Sequence, residues 1–283
     1  MDRLVADDLA AFAVFAAHRN FTHAAEELHV SQPSLHTRIR KLEQHLGRRL
    51  YTKHGRQLRL TKTGEQLAAF ANDTRRRVDA FLSTLDVGPR RPLVLAAGSG
   101  AYLYLLGDAI RRYLDKGNQL RLVTADSRAT VTAVRDGSAD LGVTALGIPP
   151  DDLECERIAQ YPQMLAVRPS HRLAGRRSVR LKDLEGEALV VPPKTRPHRR
   201  ALERALLDQG VRWSVAVEAE GWDLLVQFVR LGVGPAIVNG SVRTTTAVRT
   251  VPVKDLPPVR YYLITCRDRP DDERLDMLRR MLL

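Results

Sequence analysis

Along the first ninety positions, apolar residues fall at helical spacing in short blocks separated by polar breaks. Leu9, Phe12, Ala13 and Ala16 share one face and predict a helix over about 6–18. Ala24, Ala25 and Leu28 predict a short second helix, with Thr22 as its cap and Phe21 packed just outside. His29-Val30-Ser31 breaks the pattern, Ser31 is a good N-cap, and Pro33 falls in a first turn, where a missing N–H costs nothing. Leu35, Ile39, Leu42 and Leu46 then carry a third helix to a C-terminal stop at Gly47. Two helices joined by a three-residue turn make a helix-turn-helix. Residues 49–60 alternate apolar and polar about a Gly-containing turn, which predicts a β-hairpin beside it, a wing.

Thr61 can cap a further helix in which Leu67, Ala71, Thr74, Val78, Phe81 and Leu85 keep heptad spacing. One such seam on a long helix is most economically buried against its copy in a second chain, so 61–87 reads as a linker and dimerisation helix. Gly88-Pro89-Arg90-Arg91-Pro92 reads as a hinge at 88–92. Beyond it, strand-like runs at 93–97, 120–124 and 141–144 alternate with helical stretches at 100–116 and 127–137. A second set has strands at 164–167, 188–191, 215–217 and 235–238, and helices at about 198–209 and 221–231. Alternation of this kind predicts parallel sheets covered on both faces, here in two lobes, with ligands at the carboxyl ends of the strands.

Charge narrows the partner. The chain has 45 Lys plus Arg against 33 Asp plus Glu. Residues 31–62 hold nine basic side chains and one acid, whereas residues 1–30 carry two basic and five acidic ones. A basic footprint concentrated on a helix-turn-helix points to double-stranded DNA. The polar side of the third helix presents Pro33, Ser34, Thr37, Arg40, Lys41 and Gln44, groups that read base edges or clamp phosphates. Arg40, Lys41, Lys53 and Arg56 are expected to neutralise phosphates, and Gln32, Ser34, His36, Thr37 and Arg38 to probe bases.

The same residues resemble the LysR-type transcriptional regulators. The resemblance rests on Phe12, the run at 21–35 with Ala24-Ala25 and Ser31-Gln32-Pro33-Ser34-Leu35, Ile39, Leu42-Glu43, Leu46-Gly47, Leu50-Tyr51 and Leu60-Thr61-Lys62-Thr63-Gly64. It continues more weakly through 167–174 and 231–238. His36-Thr37 departs from the serine and basic residue that members often carry, Lys53 replaces the usual arginine, and Ser99-Gly100-Ala101-Tyr102 departs from the common Leu-Pro pattern. The resemblance implies an α/β chain with an N-terminal winged helix-turn-helix, a long linker helix and a two-lobed periplasmic-binding-protein-like effector domain. It also implies a homodimer, or a homotetramer built as a dimer of dimers.

The expected domains are 1–60 for the DNA-binding head, 93–161 with 262–283 for lobe I, and 162–261 for lobe II. The expected effector site gathers Ser99, Gly100, Ser127, Arg128, Thr144, Thr195 and Arg196 at strand ends. One arginine per lobe, Arg128 and Arg196, beside hydroxyls and helix N-termini, suits a small anion such as a carboxylate. Dinucleotide, phosphate-loop and nucleophile-elbow motifs are missing, so no catalysis and no cofactor are expected. The alternative is an enzyme with an accessory helix-turn-helix domain. The histidines at 23, 29 and 36 lack partners at metal spacing, and Cys155 and Cys266 are too few for a disulfide framework. No metal is expected, and with no basic leader before an apolar core the expected compartment is the cytoplasm.

Overall fold

The computed structural model describes residues 6–55, 57–84, 91–269 and 271–283. Three helices build the N-terminal head: α1 (Ala6–His18), α2 (Phe21–Glu27) and α3 (Gln32–Leu46). Asn20, not Thr22, caps α2, its side-chain oxygen accepting from the backbone N–H groups of Thr22 and His23, and Phe21 is itself a buried helical residue. Ser31 Oγ accepts from Ser34 N–H to cap α3, and Gly47 closes it in the left-handed conformation at φ 59°. The hairpin is β1 (Tyr51–His54) paired antiparallel with β2 (Gln57–Leu60). Phe12, Phe15, Leu35, Ile39, Leu42 and Leu50 form the core of the head.

The linker helix α4 (Lys62–Thr84) is capped by Thr61, whose Oγ1 accepts from Gly64 N–H and donates to the Arg49 carbonyl. Gly64 is required there, because any Cβ would collide with the Leu50 carbonyl. Ala68 and Ala71 are buried on the side of α4 that packs against α1. The Leu85 position of the expected seam, and 88–90 of the expected hinge, lie outside the described residues.

The remainder has two lobes. In lobe I, β3 (Leu93–Ala97) pairs parallel with β4 (Leu120–Thr124) and β5 (Leu141–Ala145). β12 (Val259–Cys266) runs antiparallel between β5 and β6 (Leu153–Tyr161), giving the order β4-β3-β5-β12-β6. The chain therefore rejoins this sheet at Val259, ahead of the expected 262. A broken helix follows β3 as α5 (Ser99–Ala101), a π turn (Tyr102–Leu106) and α6 (Gly107–Leu114), while α7 (Ser127–Arg135) and α10 (Glu273–Leu282) complete the lobe.

In lobe II, β7 (Gln163–Val167) lies antiparallel between β10 (Ala236–Asn239) and β11 (Arg249–Pro252). β8 (Ala188–Val191) pairs parallel with β9 (Ser214–Glu218), and Val190 N–H donates to the Pro235 carbonyl at 2.8 Å, joining the two sheets. α8 (Pro197–Asp208) and α9 (Trp222–Leu231) cover them. The sheets are thus mixed, correcting the purely parallel expectation: alternation of helix and strand does not reveal strands such as β12 that return without an intervening helix.

Contacts between the described residues tie the head to lobe I. The buried Asn72 side chain on α4 donates to the Asp136 carbonyl at 2.7 Å, and Arg121 on β4 lies 3.8 Å from Glu27 on α2. Near the end of the linker, Arg91 grips the largely buried Asp140 carboxylate with both terminal nitrogens, at 2.6 and 2.9 Å.

Candidate functional site

The helix α3 leaves most of its basic and polar groups unengaged. Gln32, Pro33, Thr37, Arg40, Lys41 and Gln44 are exposed, and Ser34 and Arg38 are half-buried. Thr37 donates its hydroxyl to the Pro33 carbonyl at 3.0 Å, a back-bond within α3. Lys53 is exposed in the hairpin; Arg56 lies outside the described residues.

His36 is exposed and held in place by its neighbours. Its ring stacks on Phe21 with centroids 4.2 Å apart and an interplanar angle of 15°, and presents an edge to Tyr51. The ring is thus oriented by α2 and the wing while the residue stays exposed. Sequence reading also passed over Arg48 and Arg49, exposed in the turn from α3 to β1 beside a hollow. Their signal was present in the basic count of 31–62, but with no helix or hairpin tip to assign them to, they had no role.

The seam expectation on α4 is corrected. Ala71 is 4% exposed within its own chain and is not available to a partner chain, and Leu67 is half-buried against the head core. Among the described side chains of α4, the outward large apolar residues are Phe70, Val78 and Phe81, at 57%, 51% and 62% exposure, with Thr74 between them back-bonded to the Phe70 carbonyl. A stripe through 70, 74, 78 and 81 still follows helical spacing.

The second candidate site is the cleft between the lobes. Ser99 and Gly100 sit after β3, Ser127 and Arg128 begin α7 after β4, and Thr144 is near the end of β5, 4% exposed. Across from them, Arg196 is the N-cap of α8, next to the exposed Thr195. The segments after β4 and β8 meet through Arg196 and Asp126, and three details bear on the anion reading. Arg196 lies 3.8 Å from Asp126 of lobe I and also pairs with Glu220 of lobe II. Asp126 Oδ1 accepts from Ala129 N–H at 2.9 Å, so the N-terminal amides of α7 already have a carboxylate. A Cβ on Gly100 would lie 2.7 Å from Trp222 Cδ1, so an indole from lobe II covers the turn after β3.

One further residue joins the lobes here, and a second packs beneath Trp222 within lobe II. Tyr104, in the π turn, donates its hydroxyl to Asp223 of α9, and burial together with that carboxylate pushes the phenol pKa upward. His198 of α8 presents its ring edgewise to Trp222 at 4.9 Å and bonds through Nε2 to the Ile237 carbonyl; burial pushes its pKa down. Trp222, His198 and Tyr104 carried no periodic signal of a site. Tyr102 instead turns inward, donating to the Leu95 and Val123 carbonyls, with its pKa pushed up to about 12 by burial. The departure at Ser99-Gly100-Ala101-Tyr102 therefore serves packing between β3 and β4.

Residues 6–65 match the bacterial regulatory helix-turn-helix proteins of the lysR family, and residues 86–283 match the LysR substrate binding domain. The chain belongs to the LysR family of transcriptional regulators. Among LysR-family relatives, the RuBisCO operon transcriptional regulator of Allochromatium vinosum is 29% identical over 271 residues, spanning 92% of this chain and 88% of the relative. The HTH-type regulator YwbI of Bacillus subtilis is 30% identical over 262 residues, spanning 89% and 86%. Among solved structures, a full-length OxyR variant from Pseudomonas aeruginosa superposes with a TM-score of 0.76 at 19% identity, covering all of this chain and 95% of its own. Full-length BenM gives 0.59 at 22% identity, covering 99% and 95%. The likeness shows the same architecture of head, linker helix and two-lobed domain.

Proposed function

We propose that this LysR-family regulator reads its operator through α3 and the wing, and that a small anion, with a carboxylate as the candidate, acts between the lobes. The observation that carries the DNA reading is the unpaired state of Arg40, Lys41 and Lys53, none of which has an ion-pair partner among the described residues. On this reading Arg40, Lys41, Lys53 and Arg56 meet phosphates, and Gln32, Pro33, Ser34, Thr37 and Arg38 face the major groove. The domain limits proposed are a head to residue 60, a linker helix to 87, and lobes exchanging near 162 and 259.

In the cleft, Ser99, Gly100, Ser127, Arg128, Thr144, Thr195 and Arg196 remain the proposed effector lining. The anion would enter in competition with Asp126 and Glu220 for Arg196, and its arrival would release one link between the lobes. Two copies are proposed to pair along Phe70, Thr74, Val78 and Phe81, with the assembly held in the cytoplasm beside the chromosome. Regulation of this kind requires no catalytic step. The deciding experiment is footprinting of the purified protein on the DNA adjoining its own gene, with and without a panel of carboxylates. Protection of a defined site that lengthens, shortens or shifts with one carboxylate is the expected result. Uniform, unprotected cleavage would overturn the DNA reading, and a footprint indifferent to every anion would overturn the effector reading.

A further inference from the structure

At the foot of the recognition helix lies an open hollow of about 580 Å³, lined by His36, Arg40, Gln44, Arg48, Arg49 and Tyr51 together with the Glu43-to-Gly47 corner. His36, Arg40 and Gln44 are spaced by four, so they form one ridge of α3, one position aside from Thr37 and Lys41. Arg48 and Arg49 supply the opposite wall, placed by the left-handed turn at Gly47.

The charges in the hollow are available. Arg40, Arg48 and Arg49 are exposed and have no ion-pair partner among the described residues. Glu43 is the one acid beside them, and its Oε1 is committed to accepting from Leu50 N–H at 2.8 Å. The carbonyls at the end of α3, which would repel an anion, are capped in part: Gly47 N–H donates to Gln44 and Arg48 N–H to Glu43. His36, fixed by its stack on Phe21, makes one wall rigid. A concave site with three guanidinium groups, bounded by a held ring, suits a phosphate oxygen cluster.

We infer that this hollow clamps a backbone phosphate of the duplex, with Arg48 and Arg49 as DNA-contacting residues outside both the recognition face and the wing tip. The inference rests on the DNA-binding reading and adds a contact to it. Its place on α3 itself favours DNA over an acidic protein, since a duplex seated on Thr37 and Lys41 runs alongside the ridge. Arg49 precedes β1 in the turn after α3, whereas Lys53 lies within β1. Lys53 is not part of the lining of the hollow, so on this inference the hollow and the wing tip neutralise separate phosphates and their contributions to salt dependence add.

A phosphate clamp is blind to sequence, so the test needs no operator. The full-length protein is titrated onto a fluorescein-labelled 30-base-pair duplex of mixed sequence by anisotropy, from about 50 to 200 mM salt. Expected for Arg48→Ala with Arg49→Ala is a log–log salt slope shallower by about 1, and affinity lower by about tenfold at the low-salt end. Arg48→Lys with Arg49→Lys should restore the slope, because the charge remains. Combining the alanine pair with Lys53→Ala should flatten the slope by about 1 more. Thermal melts of each variant report folding. A parent that fails to bind the duplex overturns the DNA reading itself. A parent that binds, with an alanine pair of unchanged slope and affinity, overturns the clamp alone and leaves the arginines to an acidic protein partner. A loss of affinity with the slope kept, or a slope that lysine does not restore, assigns them a structural role and overturns it equally.

Discussion

The arginines of the head hollow and of the cleft differ in one respect: Arg40, Arg48 and Arg49 have no ion-pair partner among the described residues, whereas in the cleft Arg196, though not Arg128, is held by carboxylates. Arg40, Arg48 and Arg49 line a hollow whose single acid is tied to a backbone N–H, whereas Arg196 is already held by Asp126 and Glu220. A site that must accept a polyanion at any time gains from unpaired charge, since no internal bond has to break first. A site that answers to a ligand gains from a paired one, because displacing the internal carboxylate couples binding to the lobes. Charge counted along a sequence therefore reads as free charge only where the fold brings no acid beside it.

The largest effect that tests this separation comes from removing one core and not the other. Leu35 is completely buried among Phe12, Phe15 and Ile39, and Leu35→Ala should cost the head about 2–5 kcal/mol. Calorimetry should show a head transition lowered or lost and DNA binding abolished, with the effector-domain transition in place. If the whole chain melts as one unit in parent and variant alike, the contacts through Asn72 and Arg121 couple the regions more strongly than their number suggests.

Next in size is the partner seam. Phe70→Asp places a charge on the outward face of α4, and light scattering should report monomers that remain folded. Ala71→Asp, one residue on, buries an unpaired carboxylate against α1 and should unfold the head. Equal behaviour of the two would break the proposed register. The error in reading Ala71 into the seam is instructive: heptad spacing identifies an apolar stripe, but α4 has two, and only packing against α1 decides which stripe the head consumes. The elements of the head were legible because its caps are local, as with Ser31, Gly47 and Thr61. The cleft was legible only as a place. Trp222, Tyr104 and Asp126 reach it from segments a hundred residues apart, and no local pattern encodes such a meeting.

A smaller effect should follow from His198. Burial depresses its pKa in the folded chain below the ordinary 6.5, so the neutral ring is favoured there. Its contribution to stability is complete above 6.5 and is lost as pH falls toward the folded value, since the unfolded chain takes up the proton first. One proton limits the slope to about 1.4 kcal/mol per pH unit. Melting from pH 7.5 to 5.5 should show the effector-domain transition falling, and His198→Gln should reduce that fall. An identical profile in the variant would show that other groups govern the acid limb.

The smallest effect bears most directly on the contrast between the sites. Asp126 and Glu220 are half or more exposed, and exposed ion pairs contribute only about 0.2–1 kcal/mol each. Freeing Arg196 by Asp126→Asn with Glu220→Gln should therefore raise the affinity of the cleft for a carboxylate by about fivefold, while Tyr104 and Asp223 still hold the lobes. Isothermal titration of parent and variant with the carboxylate that alters the footprint measures it directly. In the head the corresponding experiment, Glu43→Gln, has little to act on, because Glu43 holds no arginine of the hollow in an ion pair and the glutamine oxygen can still accept from Leu50 N–H. A carboxylate that binds the variant no better, or more weakly, would show that Asp126 and Glu220 are parts of the ligand's own seat and not its competitors. The effector would then have to carry a positive group facing them.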